Sequence, residues 1–192
     1  TPTQVFTVTL NLDGDLSTST DTYSFDLHKQ IDCGLTTFSV GDVGYNFKGG
    51  SDPYTYFNDT VTTDVNGDQD VLLTPIVNGT FGGKTNTSSI AGGVDNGNSV
   101  GSGEAVRVDY VYGISGAPSA TVGGTGYADV ANRDHTFTGH NVINGASVDF
   151  TSTSGSKVRV KAFDDTDGNN IVGDGSSDNI TRVTITYNGG EH

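Results

Sequence analysis

Basic residues are scarce in this chain of 192 residues: 9 Lys and Arg stand against 23 acids, a net charge of −14. A nucleic-acid backbone binds through Lys/Arg patches that displace its counterions. The few cations here are scattered along the sequence, so nucleic acid is excluded as a partner, and an anionic membrane surface is disfavoured for the same reason. Cysteine occurs once, at Cys33, which excludes an internal disulfide, and no CxxC or Cys/His cluster suggests zinc. Flanked by hydrophobic residues, Cys33 reads as a small buried residue rather than a nucleophile. Glu is nearly missing, at 104 and 191 only, and Trp is absent. No apolar run reaches the roughly 18 residues of a membrane helix, and no signal peptide opens the chain. A soluble piece excised from something larger is expected, with Gly189-Gly190-Glu191-His192 in part a tag remnant. Hydrophobic content of 32% is low enough to raise the question of disorder, because a charged chain poor in apolar residues cannot offset its conformational entropy. Periodic strands argue against it.

What is abundant is Gly, 28 residues, together with Thr, Ser, Asn and Asp, a composition that suits strands and turns rather than helices. Phe6, Val8, Leu10 and Leu12 alternate, as do Tyr23, Phe25 and Leu27, so the first 28 residues read as two strands around the turn Asp13-Gly14-Asp15. Further strands are expected over 36–40, 54–57 and 71–77, and more clearly at Val106-Tyr112, Val158-Ala162 and Val183-Tyr187. Asn144-Gly145, between Val142-Ile143 and Val148-Phe150, predicts a type I′ hairpin. Long polar stretches at 64–70, 78–104, 115–126 and 164–179 are read as ordered loops, which usually carry function or hold ions. The fold class inferred is all-β: a calcium-stabilised β-sandwich of roughly eight to ten strands with long Asp/Gly-rich loops, one domain over 1–192.

The Asp residues cluster in those loops. Asp64, Asn66, Asp68 and Asp70 place side-chain oxygens at alternate positions around Gly67, and Asp164, Asp165 and Asp167 do so before Asp174 and Asp178. Carboxylates crowded in one loop repel one another, and a divalent cation that collects about six to eight oxygens relieves the repulsion. Several calcium ions are therefore expected. Magnesium favours octahedral sites with retained waters, and transition metals favour imidazole or thiolate. Neither loop is an EF-hand, and turns held by Asx hydrogen bonds are the simpler alternative. A third candidate is Asp95 with Asn98, followed by the rare Glu104 at a strand entry. Asp13 and Asp15 complete the candidate ligands.

The run Gly93-Val94-Asp95-Asn96, then Gly103 to Tyr110, His140 to Ser147, Val158 to Asp167 and Ile180 to Val183, resembles the repeat domains of giant RTX adhesins, and Val5 to Leu10 with Asp21 to Leu27 is similar to how such domains open. The resemblance implies a calcium-rigidified module of a protein exported by type I secretion and held on a Gram-negative cell surface, where it serves adhesion and biofilm formation. Size and loop elaboration make the chain look most like the calcium-dependent peptide-binding domain of such adhesins, which recognises free C termini of host cell-surface proteins. The nonapeptide β-roll repeat of the secretion signal is absent, which implies an internal domain. On that reading the domain is extracellular and monomeric. Calcium at Asp95, Asn98 and Glu104 bridges a ligand carboxylate, while Gly123, Gly124, Gly126 and Tyr127 offer backbone N–H groups to the peptide.

Two rivals stay open. A calcium-dependent carbohydrate-binding module would need stacking platforms, for which Tyr54, Tyr56 and Phe57 are available, and a structural extender would hold calcium without a concave site. Catalysis is not expected: no Gly-x-Ser-x-Gly sits between strand and helix, and His135 and His140 fall on opposite faces of a regular strand, too far apart to share a metal.

Overall fold

A computed structural model describes residues 6–11, 22–27, 49–58, 69–89, 91–118, 126–143, 145–150, 157–165, 169, 171–187 and 190–191. The chain divides into two compact units, Thr1–Thr37 and Phe38–His192. In the first, β1 (Phe6–Asn11) pairs antiparallel with β2 (Thr22–Leu27). The register sets Phe6 opposite Leu27, Val8 opposite Phe25 and Leu10 opposite Tyr23, so the two apolar alternations of the sequence coincide, as a period of two requires. The strand expected over 36–40, and Cys33, lie outside the described residues.

The second unit is built on one ladder. β5 (Asp70–Val77) pairs along its whole length with β9 (Glu104–Tyr112), from Asp70 opposite Val111 to Val77 opposite Glu104. β4 (Thr55–Phe57) and β6 (Thr80–Phe81) pair with the other side of β5, and β10 (Gly139–His140) with the far end of β9. Pro75, which has no N–H for a ladder, falls in the gap between the residues of β5 that pair with β4 and those that pair with β6. A three-stranded sheet joins β3 (Gly50–Asp52), β7 (Thr85–Thr87) and β8 (Gly92–Val94). It meets β4 where the hydroxyls of Thr55 and Thr85 lie 2.7 Å apart. β11 (Ala162–Asp164) pairs with β12 (Ser176–Asp178), and β13 (Thr186–Tyr187) with β14 (Gly190–Glu191). Every described ladder is antiparallel, and one 3-10 turn, Val130–Asn132, is the only helical element among the described residues. The chain is all-β. None of its described helices is long and apolar enough to cross a membrane.

β5 is buried on both faces. On one, Leu72 packs with Tyr54, Val111, Ile114, Tyr127 and Phe137; on the other, Val71 packs with Phe57, Leu73 and Tyr110. Fully burying side chains of this size stabilises the fold by about 1.5–3 kcal/mol each. In β9 the alternation read from the sequence, Val106-Val108-Tyr110-Tyr112, is not the buried set: Val108 is 44% exposed, whereas Asp109 and Val111 are buried. The register explains the difference, because it places Asp109 opposite Leu72 and Val111 opposite Asp70, on the face that carries the larger core.

Three sequence expectations need correction. The loop read over 78–104 contains β6, β7 and β8. The Asn-Gly hairpin is not at 144–145, since 142–143 and 145–150 lie in no strand. It forms instead at Asn78-Gly79, where φ is 52° and 80°, the left-handed pair a type I′ turn requires. A hairpin needs a layer beneath it, and β5 and β6 have the Tyr54 core while Val142 is 93% exposed. The strand expected over 158–162 begins only at Ala162, and that over 183–187 only at Thr186. Leu72→Ala, at 0% exposure, is expected to lower the unfolding free energy by about 2–5 kcal/mol, and Val142→Ala by less than about 0.5 kcal/mol. Equal losses in urea denaturation would contradict this placement of the core.

Candidate functional site

Asp95 closes the strand pair β7–β8 at its open end. Its φ of 54° puts it in the left-handed region, which a short polar side chain tolerates when it bonds to nearby backbone. Asp95 Oδ1 accepts the Lys84 N–H at 3.1 Å, its own N–H donates to Lys84 O at 2.8 Å, and Asn86 Nδ2 donates to Asp95 O at 3.1 Å. The neighbouring Gly83 is the hinge of the site. A Cβ there would lie 2.6 Å from Asp95 Oδ1, and a Cβ on Gly126 would collide with Gly83 O. Tyr127 N–H donates to that same Gly83 O at 2.7 Å. Asp95 and Gly126-Tyr127, remote in sequence, thus meet on either side of Gly83. The expectation that Tyr127 offers its N–H to a peptide is not met, since Gly83 takes that group and Tyr127 is buried. Gly82-Gly83 is the sequence feature that permits this approach.

Glu104 opens β9 as expected, but its carboxylate turns back on its own loop: Oε2 accepts the Gly101 N–H at 2.5 Å. Asn98 is exposed in the turn closed by Val94 N–H to Ser99 O at 2.9 Å. Asp70 is 1% exposed within β5, and its Oδ2 accepts the Ile114 N–H at 2.8 Å. Asp13, Asp15, Asp64, Asn66, Asp68, Asp167, Gly123 and Gly124 lie outside the described residues.

The second acidic loop is drawn against the core. Val172 packs on the Tyr54 cluster, a Cβ on Gly173 would meet the Phe81 ring at 2.6 Å, and the Arg107 guanidinium stands 5.2 Å over the Phe163 ring. This brings Asp165 Oδ2 to 3.7 Å from His140 Nε2, with the two side chains 9% and 10% exposed. Neither ring nitrogen of His140 has a hydrogen-bond partner among the described residues. Asn169 Nδ2 donates to Asp174 Oδ2 at 2.8 Å and holds that carboxyl below its usual range, and Asp165 also bears on Asp174. Burial pushes the nearby Asp109 carboxyl up, against the pull of Arg107 at 2.8 Å. Asp164 lies in β11, and Asp178, at the end of β12, accepts the Asn179 N–H at 2.7 Å. So Asp165 and Asp174 converge, with Asp164 next to them at the end of β11, while Asp178 lies at the other end of the ladder, opposite Ala162. Among the described residues, no three His, Cys, Asp or Glu side chains are grouped so that they could hold a metal ion. A calcium shell of about six to eight oxygens would have to draw the rest from backbone carbonyls, waters or residues outside the described set.

Between the two acidic regions lies an aromatic stack that the sequence did not reveal. Tyr127 OH and His135 Nε2 are 2.7 Å apart, with their rings stacked at 5.7 Å, and Tyr54 meets His135 edge-on at 4.9 Å. Tyr54 OH donates to Asp134 Oδ1 at 2.6 Å, and Arg133 covers the Tyr127 ring at 4.8 Å. Burial pushes the Tyr127 phenol up to about 12 and the Tyr54 phenol higher still. The expected placement of His135 and His140 on opposite faces of one strand gives way to a stack in which Phe137 lies between them.

Burial lowers the pKa of His135 from 6.5. The unfolded chain therefore binds this proton more readily than the folded one, so the stabilising contribution is complete above the unfolded pKa and is lost as pH falls through the folded value. The melting temperature is expected to fall from about pH 7 to about pH 5, and part of that fall should be missing in His135→Gln, which keeps an acceptor for Tyr127. Identical pH profiles of the two proteins would contradict the burial of a neutral His135.

Comparison with family models, with curated proteins and with solved structures gives no match for this chain, so a functional reading rests on its own residues and their geometry.

Proposed function

We propose that the chain is a calcium-stabilised β-sandwich adhesion module of a bacterial cell-surface protein, of the RTX adhesin kind, that binds the C-terminal peptide of host cell-surface proteins through their free carboxylate. The observation that carries the reading is the meeting of Asp95 with Gly126-Tyr127 across Gly83: the acidic turn is a neighbour in space of the end of the glycine run, although Gly83 itself takes the Tyr127 N–H. A carboxylate ligand is repelled by a chain of net charge −14, and calcium would supply the local positive charge that reverses the sign. Asp95, Asn98 and Glu104 are the residues that would hold it near the ligand, and Asp164, Asp165, Asp174 and Asp178 those that would hold a structural ion. The residues present fit in part. Asp165 and Asp174 gather as a cation site requires, whereas Asp95 and Glu104 each already accept a backbone N–H and would add an ion through their remaining lone pairs. Millimolar extracellular calcium suits loop sites of this weak kind, which supports an extracellular location on the bacterial surface.

The carbohydrate-binding alternative keeps Tyr56, half-exposed, as its platform and finds the other two in the core. Tyr54 is 0% exposed and Phe57 is buried, and Tyr56 stacks on Tyr54 at 6.4 Å rather than standing alone at the surface.

A labelled peptide ending in a free carboxylate is expected to bind in calcium, and its C-terminal amide to bind at least about tenfold more weakly; chelator should abolish the difference. Equal binding of the two forms by fluorescence anisotropy would overturn the mechanism.

A further inference from the structure

The β11–β12 ladder stops at Ala162 opposite Asp178, and the two chain segments that run on from it, 157–161 and 179–185, stay out of any strand. A groove opens between them, with Val160, Lys161 and Ala162 on one side and Asp178, Asn179 and Ile180 on the other. Among the described residues, no backbone hydrogen bond joins either segment to another part of the chain. Both limbs keep the period-two alternation of strands, and their apolar residues face water: Val160 is 61% exposed and Val183 67%. Unused strand edges with exposed apolar side chains invite pairing with a further strand.

Charge says which strand. Lys157, Arg159 and Lys161 alternate with Val158 and Val160 along one limb, Arg182 lies on the other, and all four cations are exposed. These are four of the 9 basic residues of the chain, and neither 157–163 nor 179–187 contains an acid. The groove itself is lined by Lys161 and Asp178, and the other three cations lie farther out along the two limbs, in a molecule otherwise strongly negative. We propose that this groove is a second binding surface, independent of calcium and of any free carboxyl terminus, that takes an extended acidic peptide by strand addition. The main chain of the peptide would pair with the open edges, its apolar side chains would cover Val160 and Ile180, and its carboxylates, on the other face, would meet Lys157, Arg159 and Lys161. A polynucleotide fits less well, because the phosphates along its length would face the net charge of −14 and would leave the strand edges unpaired.

The test uses a fluorescent peptide of four Glu-Val repeats, acetylated and amidated so that it has no terminal carboxylate, titrated with the whole chain in calcium. Binding is expected at about 50 mM salt, weakening about tenfold or more at about 500 mM. It should be lost in Lys157→Ser/Arg159→Ser/Lys161→Ser, three exposed changes whose folding is checked by circular dichroism. The reversed variant Lys157→Glu/Arg159→Glu/Lys161→Glu should instead bind the corresponding Lys-Val peptide. Glu-Val binding that survives the serine substitutions, absence of binding, or tighter binding of an oligothymidine would overturn the proposal. A dimer in sedimentation that the peptide fails to dissociate would also overturn it, in favour of a second copy of the chain. Because the peptide has no free carboxyl terminus, none of these failures bears on the calcium-bridged mechanism proposed above.

Discussion

In a chain with 23 acids and 9 cations, two carboxylates, Asp70 and Asp109, are buried in the core, and the rest of the structure depends on how each one is satisfied. An ionised carboxylate taken out of water needs donors or a countercharge. Asp70 and Asp109 both lie on the core face of the β5–β9 ladder. The first accepts the Ile114 N–H, and the second takes both contacts of the Arg107 guanidinium. Asp134 accepts the Tyr54 hydroxyl and the Ala117 N–H, and Asp95 accepts the Lys84 N–H. The chain thus spends backbone amides, phenols and one arginine where other proteins would use lysines. At the second acidic loop Asp174 accepts the Asn169 amide at 2.8 Å, and Asp165 lies 3.7 Å from His140 Nε2. The calcium proposed above would add positive charge beside this pair of carboxylates.

The same scarcity organises the surface. With Arg107 and Arg133 engaged on Asp109 and on the Tyr127 ring, four of the remaining cations collect on the limbs beyond β11 and β12. Basic limbs on an acidic body would steer anionic ligands to them. The calcium-bridged carboxylate proposed at Asp95 and the acidic strand proposed at the groove would then be two answers to one problem, the capture of anions by a negatively charged protein.

The sequence made the strand content legible because alternation reports one buried face. The pairing of Phe6–Asn11 with Thr22–Leu27 follows from it, whereas β5, buried on both faces, was legible as a short apolar run instead. Alternation misjudged the core face of β9 because Asp109 and Arg107 share that face as a pair, which a count of apolar residues passes over. The turn signal Asn-Gly was right in kind and wrong in place: five such pairs occur, and the pair at 78–79 is the one that turns β5 into β6 over the Tyr54 core. Of the candidate site, the neighbourhood of Asp165 and Asp174 was readable from loop composition. The meeting of Asp95 with Tyr127 was not, because it depends on the absence of side chains at Gly83 and Gly126. Nor was the Tyr54–His135–Tyr127 stack, since three aromatic residues remote in sequence carry no periodic signature. The concentration of Lys157, Arg159, Lys161 and Arg182 needed the β11–β12 ladder to set the two limbs beside one another.

The central proposal is that calcium binds where Asp165 and Asp174 come together. Crystals grown in millimolar calcium test it most directly, by anomalous scattering at a wavelength where calcium contributes. The account predicts an ion bonded to the side chains of Asp165 and Asp174. An ordered 164–178 loop with those carboxylates in place and no anomalous peak beside them would contradict it.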